Sequence, residues 1–174
     1  MKCPLLIIFS GLPGTGKTTL AREIAARFDA TYLRIDSIEQ AIRNSTLQFR
    51  SIEDAGYLIG YAVAEDNLKL GRTVVSDSVN PIELTRAAWL AVAERAGCKG
   101  IEIEIICSDR QEHRQRIEQR VADLAGHSLP TWNDVVARNY EAWARARILI
   151  DTAGRSVQKS AEELQTEIRA ANRA

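Results

Sequence analysis

The sequence predicts an α/β fold, a five-stranded parallel sheet covered by helices on both faces. Three observations carry that reading. Short apolar runs alternate with longer stretches of helical periodicity, as successive βαβ units require. The opening run, Leu5 to Ser10, is almost continuously hydrophobic, which suits a strand buried on both sides. A length of 174 residues, with no internal repeat, low-complexity segment or Pro/Gly/Ser linker, fits one domain over residues 1–174.

The elements follow in order. Leu20, Ile24 and Phe28 recur at helical spacing and predict a helix over Lys17–Phe28. A second strand is expected over Thr31–Ile35 and a short helix over Ser37–Asn44. Ser51-Ile-Glu-Asp has the form of a capping box and opens a helix to Leu70, which Gly71 ends. Thr73–Asp77 reads as the third strand. Asn80 and Pro81 suit the N-cap and first turn of a helix to Ala96, closed by Gly97. Ile101–Cys107 reads as the fourth strand, and Ser108 caps a helix over Asp109–Ala125 that Gly126-His-Ser-Leu-Pro130 breaks. Thr131 caps another helix to Ala144, Ile148–Asp151 is the last strand, and a C-terminal helix covers Val157–Ala171.

Between the first strand and the first helix, Gly11-Leu-Pro-Gly-Thr-Gly-Lys17-Thr18 matches the phosphate loop G-x-x-x-x-G-K-[ST]. The buried strand before it and the amphipathic helix after it are the context that such a loop needs. Its glycines let backbone N–H groups turn inward around a β-phosphate where side chains would collide, and the helix N-terminus adds partial positive charge. The residues expected to hold ATP are Pro13, Gly14, Thr15, Gly16, Lys17, Thr18 and Thr19. Lys17 is suited to bridge the β- and γ-phosphates and the Thr18 hydroxyl to ligate Mg²⁺. A tight glycine-rich turn that binds nothing is the alternative, and it leaves the Lys-Thr pair unexplained.

Ligands of open α/β sheets bind beyond the carboxyl ends of the strands, so polar residues there carry information. Asp36, ending the second strand, would face the γ-phosphate across the acceptor site and accept or orient the acceptor hydroxyl's proton. Capping the next helix is its structural role, and the two are compatible. Asp77 ends the Walker-B-like run Thr73-Val-Val-Ser-Asp and is expected to hold Mg²⁺ directly or through water; a turn-forming residue is the alternative. Arg116 and Arg120, four apart, are expected on one helix face leading into the Gly126–Pro130 break. There they would close over the transferring phosphoryl group in a short helical lid over about 116–135. Without the phosphate loop they would read as a solvated face beside Glu112 and Glu118.

Together these residues resemble the small P-loop kinases grouped as AAA-type ATP-binding kinases. The likeness rests on the phosphate loop, Asp36, the Asp77-Ser-Val-Asn-Pro81 segment with Trp89, the Arg116/Arg120 pair, and Leu129-Pro130 ahead of Tyr140 and Trp143. It spans about Ile7 to Asp151 and is strongest to polynucleotide 5′-kinase domains. More distant are chloramphenicol phosphotransferase, zeta-type toxins, gluconate kinase and adenylylsulfate kinase. The resemblance implies a P-loop NTPase three-layer sandwich with strand order 2-3-1-4-5 and a reaction that moves the γ-phosphoryl of Mg-ATP to a hydroxyl. It further implies Asp36 as base, Asp77 near acceptor or metal, and Arg116 and Arg120 on the ATP phosphates. Where polynucleotide kinases carry an arginine that helps hold the acceptor's phosphate, this chain has Glu39. That points to an acceptor other than a phosphorylated strand end, an amine-bearing one included. The Asp-Gly-Asp signature of adenylylsulfate kinase is missing.

Composition narrows the partners. Basic and acidic residues balance at 23 each, which argues against an extended nucleic-acid surface and favours a small-molecule or nucleoside-like acceptor. Cys3, Cys98 and Cys107 form no C-x-x-C, and His113 and His127 have no partner at zinc spacing. No apolar stretch approaches the ~18 residues of a membrane span, and the run after Lys2 ends in the glycine loop rather than a cleavage site. A reduced, cytoplasmic setting is expected. Asp151-Thr-Ala-Gly154 imitates a GTPase switch but follows the last strand and lacks a guanine reader, so it reads as a turn or a loop near the adenine. Trp89, Trp132 and Trp143 read as core, and so do Tyr57 and Tyr61, with the acceptor pocket as their second reading. His113 reads as a solvated helix residue and His127 as a lid residue able to approach substrate. A nucleotide-dependent switch without an acceptor, or a toxin-type kinase, is the competing function. Nothing in the sequence specifies an oligomeric state.

Overall fold

The computed structural model describes residues 3–46, 51–126 and 128–173. In chain order the elements are β1 Leu5–Ser10, α1 Lys17–Phe28, β2 Thr31–Arg34, α2 Ile35–Arg43, α3 Ala55–Lys69 and β3 Val74–Asp77. They continue with α4 Glu83–Arg95, β4 Lys99–Ile106, α5 Arg110–Glu118, α6 Trp132–Ala137, β5 Ile148–Asp151 and α7 Val157–Arg173. The expected role of His127 lies outside the described residues.

All strands are parallel, in the order β2-β3-β1-β4-β5. β1 is central and buried throughout. Its alternate residues feed two cores. Leu5, Ile7 and Phe9 pack with Leu20 and Ile24 of α1 and Leu164 and Ile168 of α7. Leu6 and Ile8 pack with Ala64 and Leu68 of α3 and Trp89 and Val92 of α4. Each of the leucine, isoleucine, valine and phenylalanine side chains contributes roughly 1.5–3 kcal/mol on burial, so both cores anchor β1 and with it the loop at its carboxyl end. On β4, Ile101, Ile103 and Ile105 join the first core. Glu102 and Glu104 are also buried, each paired at 2.7 Å with Arg145 and Arg147 respectively.

Several boundaries move for tertiary reasons. The helix expected to reach Ala125 ends at Glu118. Val121 is 85% exposed, so further turns would have had little apolar face to bury. The helix expected to reach Ala144 ends at Ala137, because Tyr140 and Trp143 turn onto the buried Arg86 guanidinium, 5.0 and 4.2 Å from their ring centres. Arg86 also donates to the Asn80 and Glu141 carbonyls at 2.9 and 2.8 Å and so pins segment 138–147 to the turn after β3. Trp143 is therefore a stacking partner, and Trp132 is half-buried with its edge toward His113, whereas Trp89 is core as expected.

Asn80 is not an N-cap. It adopts φ 47° and spends its side-chain NH₂ on Phe9 O and Ser10 Oγ, and α4 starts at Glu83. Ser51–Asp54 forms no capping box, since Glu53 has φ 45° and α3 begins at Ala55 without a side-chain cap. Asp109, not Ser108, caps α5, its carboxylate accepting from the Gln111 and Glu112 amides. Thr131 caps α6 as expected, in a capping box with Asp134. No described helix is long and apolar enough to cross a membrane.

Candidate active site

At the carboxyl end of β1 the chain turns through Gly11–Thr18 into α1. Gly11 has φ 143°, and a Cβ there would lie 2.3 Å from the Ile105 carbonyl oxygen. Gly14 has φ 82°, and its Cβ would meet Ile117 Cδ1 at 2.5 Å. Gly16 is the N-cap of α1 with φ 90° and no side-chain cap, so the first-turn amides have no side-chain acceptor. An uncapped helix start behind a left-handed glycine turn is a ready anion site.

The loop is braced from two sides. His113 is buried and donates from Nε2 to the Pro13 carbonyl at 2.7 Å, which corrects its reading as a solvated residue. The donation also fixes its tautomer. In the Asp151–Gly154 turn, the Thr152 hydroxyl donates to the Thr15 carbonyl at 2.8 Å and accepts from Arg116 Nη1 at 2.8 Å. That turn therefore supports the phosphate loop.

Lys17 Nζ meets Asp77 Oδ1 at 2.6 Å, and the Tyr32 hydroxyl donates to Asp77 Oδ2 at 2.7 Å. The Asp77 side chain is 1% exposed. Burial alone would raise its carboxyl, but the adjoining Lys17 charge and the hydrogen bonds outweigh it and hold the group below its ordinary value. Tyr32 is pushed upward by burial and by Asp77, and so keeps its proton.

Asp36 lies in the first turn of α2, two residues past the end of β2, rather than at the strand end expected for it. It is not the N-cap, a position Arg34 occupies in extended conformation. Asp36, Glu39 one turn on, and Tyr57 line one cleft of about 990 Å³ together with Lys17, Thr18, Arg116 and Arg120. Burial raises the Glu39 carboxyl, and Arg43 at 3.7 Å offsets this only in part. The Tyr57 hydroxyl, pushed up to about 12 by burial, accepts from the Asn80 amide. Tyr61 packs edge-on against Trp89 in the core. Arg116 is held by Thr152 and Glu112. Arg120 follows the end of α5, so the expected common helix face with Arg116 does not exist, although both residues line the cleft.

Three residues went unread in the sequence. Arg34, buried at the end of β2, donates to both oxygens of Asp123 at 2.7 and 3.2 Å, and Arg22 adds a contact at 2.8 Å. Hydrogen bonding from Arg34, then from Arg22, holds the Asp123 carboxyl well below the usual carboxylate range. A charged residue ending a short strand two positions before Asp36 was the one available signal; Asp123 offered none.

No curated protein matches the sequence significantly. Solved structures do match. Mycobacterium tuberculosis APS kinase CysC in complex with AMPPNP and APS superposes with a TM-score of 0.73 at 18% identity, over 97% of this chain and 99% of that one. Chaetomium thermophilum Kti12 in complex with ADP-AlF3 gives 0.70 at 20% identity, over 96% and 98%. A gluconokinase from Sinorhizobium meliloti 1021 gives 0.68 at 16%, over 99% and 96%. At such identities the likeness is one of fold, the P-loop three-layer sandwich. The AAA domain family itself matches residues 6–147, from β1 to the approach to β5. The chain thus belongs to the AAA domain family, on the fold of the small P-loop kinases.

Proposed function

We propose that the chain is an ATP-dependent phosphotransferase that moves the γ-phosphoryl group of Mg-ATP to a hydroxyl of a small-molecule or nucleoside-like acceptor. One observation carries the reading: the phosphate loop, Lys17 and the carboxylates of Asp36 and Glu39 line a single cleft. Pro13 to Thr19 form a cradle from which left-handed glycines keep Cβ atoms out, which fits a polyphosphate. The Thr18 hydroxyl and the Asp77 carboxylate are hard oxygen donors of the kind Mg²⁺ takes, a cation that needs only one or two protein groups. Bound Mg-ATP would supply the transferable phosphoryl group. Lys17 binds the β- and γ-phosphate oxygens. Asp36 orients the acceptor hydroxyl and accepts its proton, while Arg116 and Arg120, in a lid over about 116–135 of a single domain, neutralise the developing charge.

The acceptor end is polar and of mixed charge, with Asp36, Glu39 and Arg43 beside Tyr57, Ile82 and Thr85. Glu39 there favours a neutral or amine-bearing hydroxy compound over a phosphorylated strand end. Three free cysteines suit a reducing cytoplasm.

The test is a transfer screen with γ-labelled ATP over nucleosides, sugars, aminoglycosides and oligonucleotide ends. Asp36→Asn is expected to lose about 10²–10⁴ in transfer rate, or about 3–5 kcal/mol of barrier, with folding preserved. ATP hydrolysis that is indifferent to Asp36 and finds no acceptor would replace this reading with a switch. Failure to take up Mg-ATP in calorimetry would remove the donor site itself.

A further inference from the structure

The Arg34 guanidinium stands between two carboxylates. Its side chain is 1% exposed and its Nε has no partner. Nη1 donates to Asp123 at 2.7 Å, and Nη2 is shared between Asp123 at 3.2 Å and Asp36 at 3.4 Å. These carboxylates come from different kinds of structure. Asp36 is built into the first turn of α2. Asp123 is exposed, on the irregular segment between α5 and α6. That segment rests on α2 a second time, where a Cβ on Gly126 would lie 3.2 Å from Gln40 Nε2. The lid segment therefore meets the body of the fold at the helix that bears Asp36.

A guanidinium buried to this degree keeps a carboxylate, because removing the sole partner of a buried charge is strongly unfavourable. If Asp123 lifts away, Asp36 is the one remaining carboxylate in ion-pair contact with Arg34 among the described residues. Asp77, opposite Arg34 in the sheet register, is engaged by Lys17 and Tyr32. We propose that Arg34 is a positioning residue that links the lid to Asp36. With Asp123 docked, its bidentate pair outcompetes the single long contact to Asp36 and leaves that carboxylate to face the acceptor hydroxyl. With Asp123 undocked, Arg34 closes onto Asp36 and withdraws it. This rests on the phosphotransfer role given to Asp36 and adds that transfer is licensed only under a closed lid, when water is excluded.

The experiment compares wild type with Asp123→Asn, Arg34→Gln and the double variant, each as the full chain. Asp123→Asn should lower the transfer kcat about tenfold with KM for ATP nearly unchanged. Adding Arg34→Gln should recover most of that loss, since no guanidinium remains to hold Asp36 back. A double variant no better than the worse single one would overturn the proposal, because freeing Asp36 from the guanidinium would then restore nothing; so would a recovery of kcat that merely follows the recovery of the urea midpoint, which is what a purely structural pair gives. Amide exchange on the nucleotide-free protein tests the docking without any turnover and needs only Asp123→Asn to fold. Residues 119–126 should exchange about tenfold faster than in wild type, and an unchanged pattern would also overturn the proposal. If wild type took up no Mg-ATP while the exchange difference held, the phosphotransfer reading would fall and the Asp123–Arg34 latch would stand.

Discussion

Replacing Lys17 by Met leaves the Asp77 carboxylate buried without its cation, while the Tyr32 hydroxyl still donates to it at 2.7 Å. In the native pair the side chains are 8% and 1% exposed and meet at 2.6 Å. The loss is thus that of a buried ion, not of a screened surface contact. Removing one partner of such a pair costs about 3–5 kcal/mol, and the retained Tyr32 hydrogen bond places Lys17→Met near the lower end. With an m-value of about 2 kcal/mol/M, the urea midpoint should fall by roughly 1.5 M at neutral pH. The pH dependence has a definite sign. Lys17 holds the Asp77 carboxyl below its ordinary value, so its stabilisation is full above the unfolded value of ~3.9 and is lost as pH falls through the folded one. In the variant, burial is no longer opposed by the Lys17 charge and outweighs the remaining hydrogen bonding, so the same carboxyl rises and mild acid relieves the penalty. The gap between the two proteins should therefore narrow from neutral to mildly acid pH. Tryptophan fluorescence in urea at two pH values reads this directly, and Lys17→Met/Asp77→Leu should regain most of the loss. A variant midpoint equal to wild type at neutral pH, or a gap that widens in acid, would refute the reasoning.

Two further outcomes are expected. Arg86→Met leaves the carbonyls of Asn80, Glu141 and Ala142 without the guanidinium donor and should cost about 3 kcal/mol or more, with protease cuts appearing in 138–147; an uncut segment and an unchanged melting temperature would contradict it. Glu39→Gln should raise the melting temperature at neutral pH, because burial lifts the Glu39 carboxyl and the folded state binds its proton more readily than the unfolded one. That advantage should close as pH falls through the folded value toward the unfolded value of ~4.3, and a lower melting temperature at neutral pH would contradict it.

The phosphate loop and the central strand were accessible from the residues themselves, through relations between near neighbours; the sheet order was implied only by the resemblance to the small P-loop kinases. The glycine spacing of the loop dictates left-handed turns within a few residues, and the unbroken apolar run of β1 dictates burial on both faces. Trp89 in the core and Thr131 as a cap follow from equally local rules.

Contacts between distant residues obeyed no such rule. Lys17 and Asp77 are 60 residues apart, Arg34 and Asp123 are 89, and His113 and Pro13 are 100. Neither helical nor strand periodicity relates positions so widely separated, and a charge in a sequence does not name its partner. The same long-range contacts moved the helix ends: Arg86 draws Tyr140 and Trp143 out of the helix expected there, and the segment after Glu118 turns to set Asp123 on Arg34. Local chemistry in the chain therefore specified the glycine turn and uncapped helix start that are proposed to cradle a nucleotide's phosphates. Folding alone decided which ion pairs surround that place, because they form only when parallel strands bring remote segments to the same edge of the sheet.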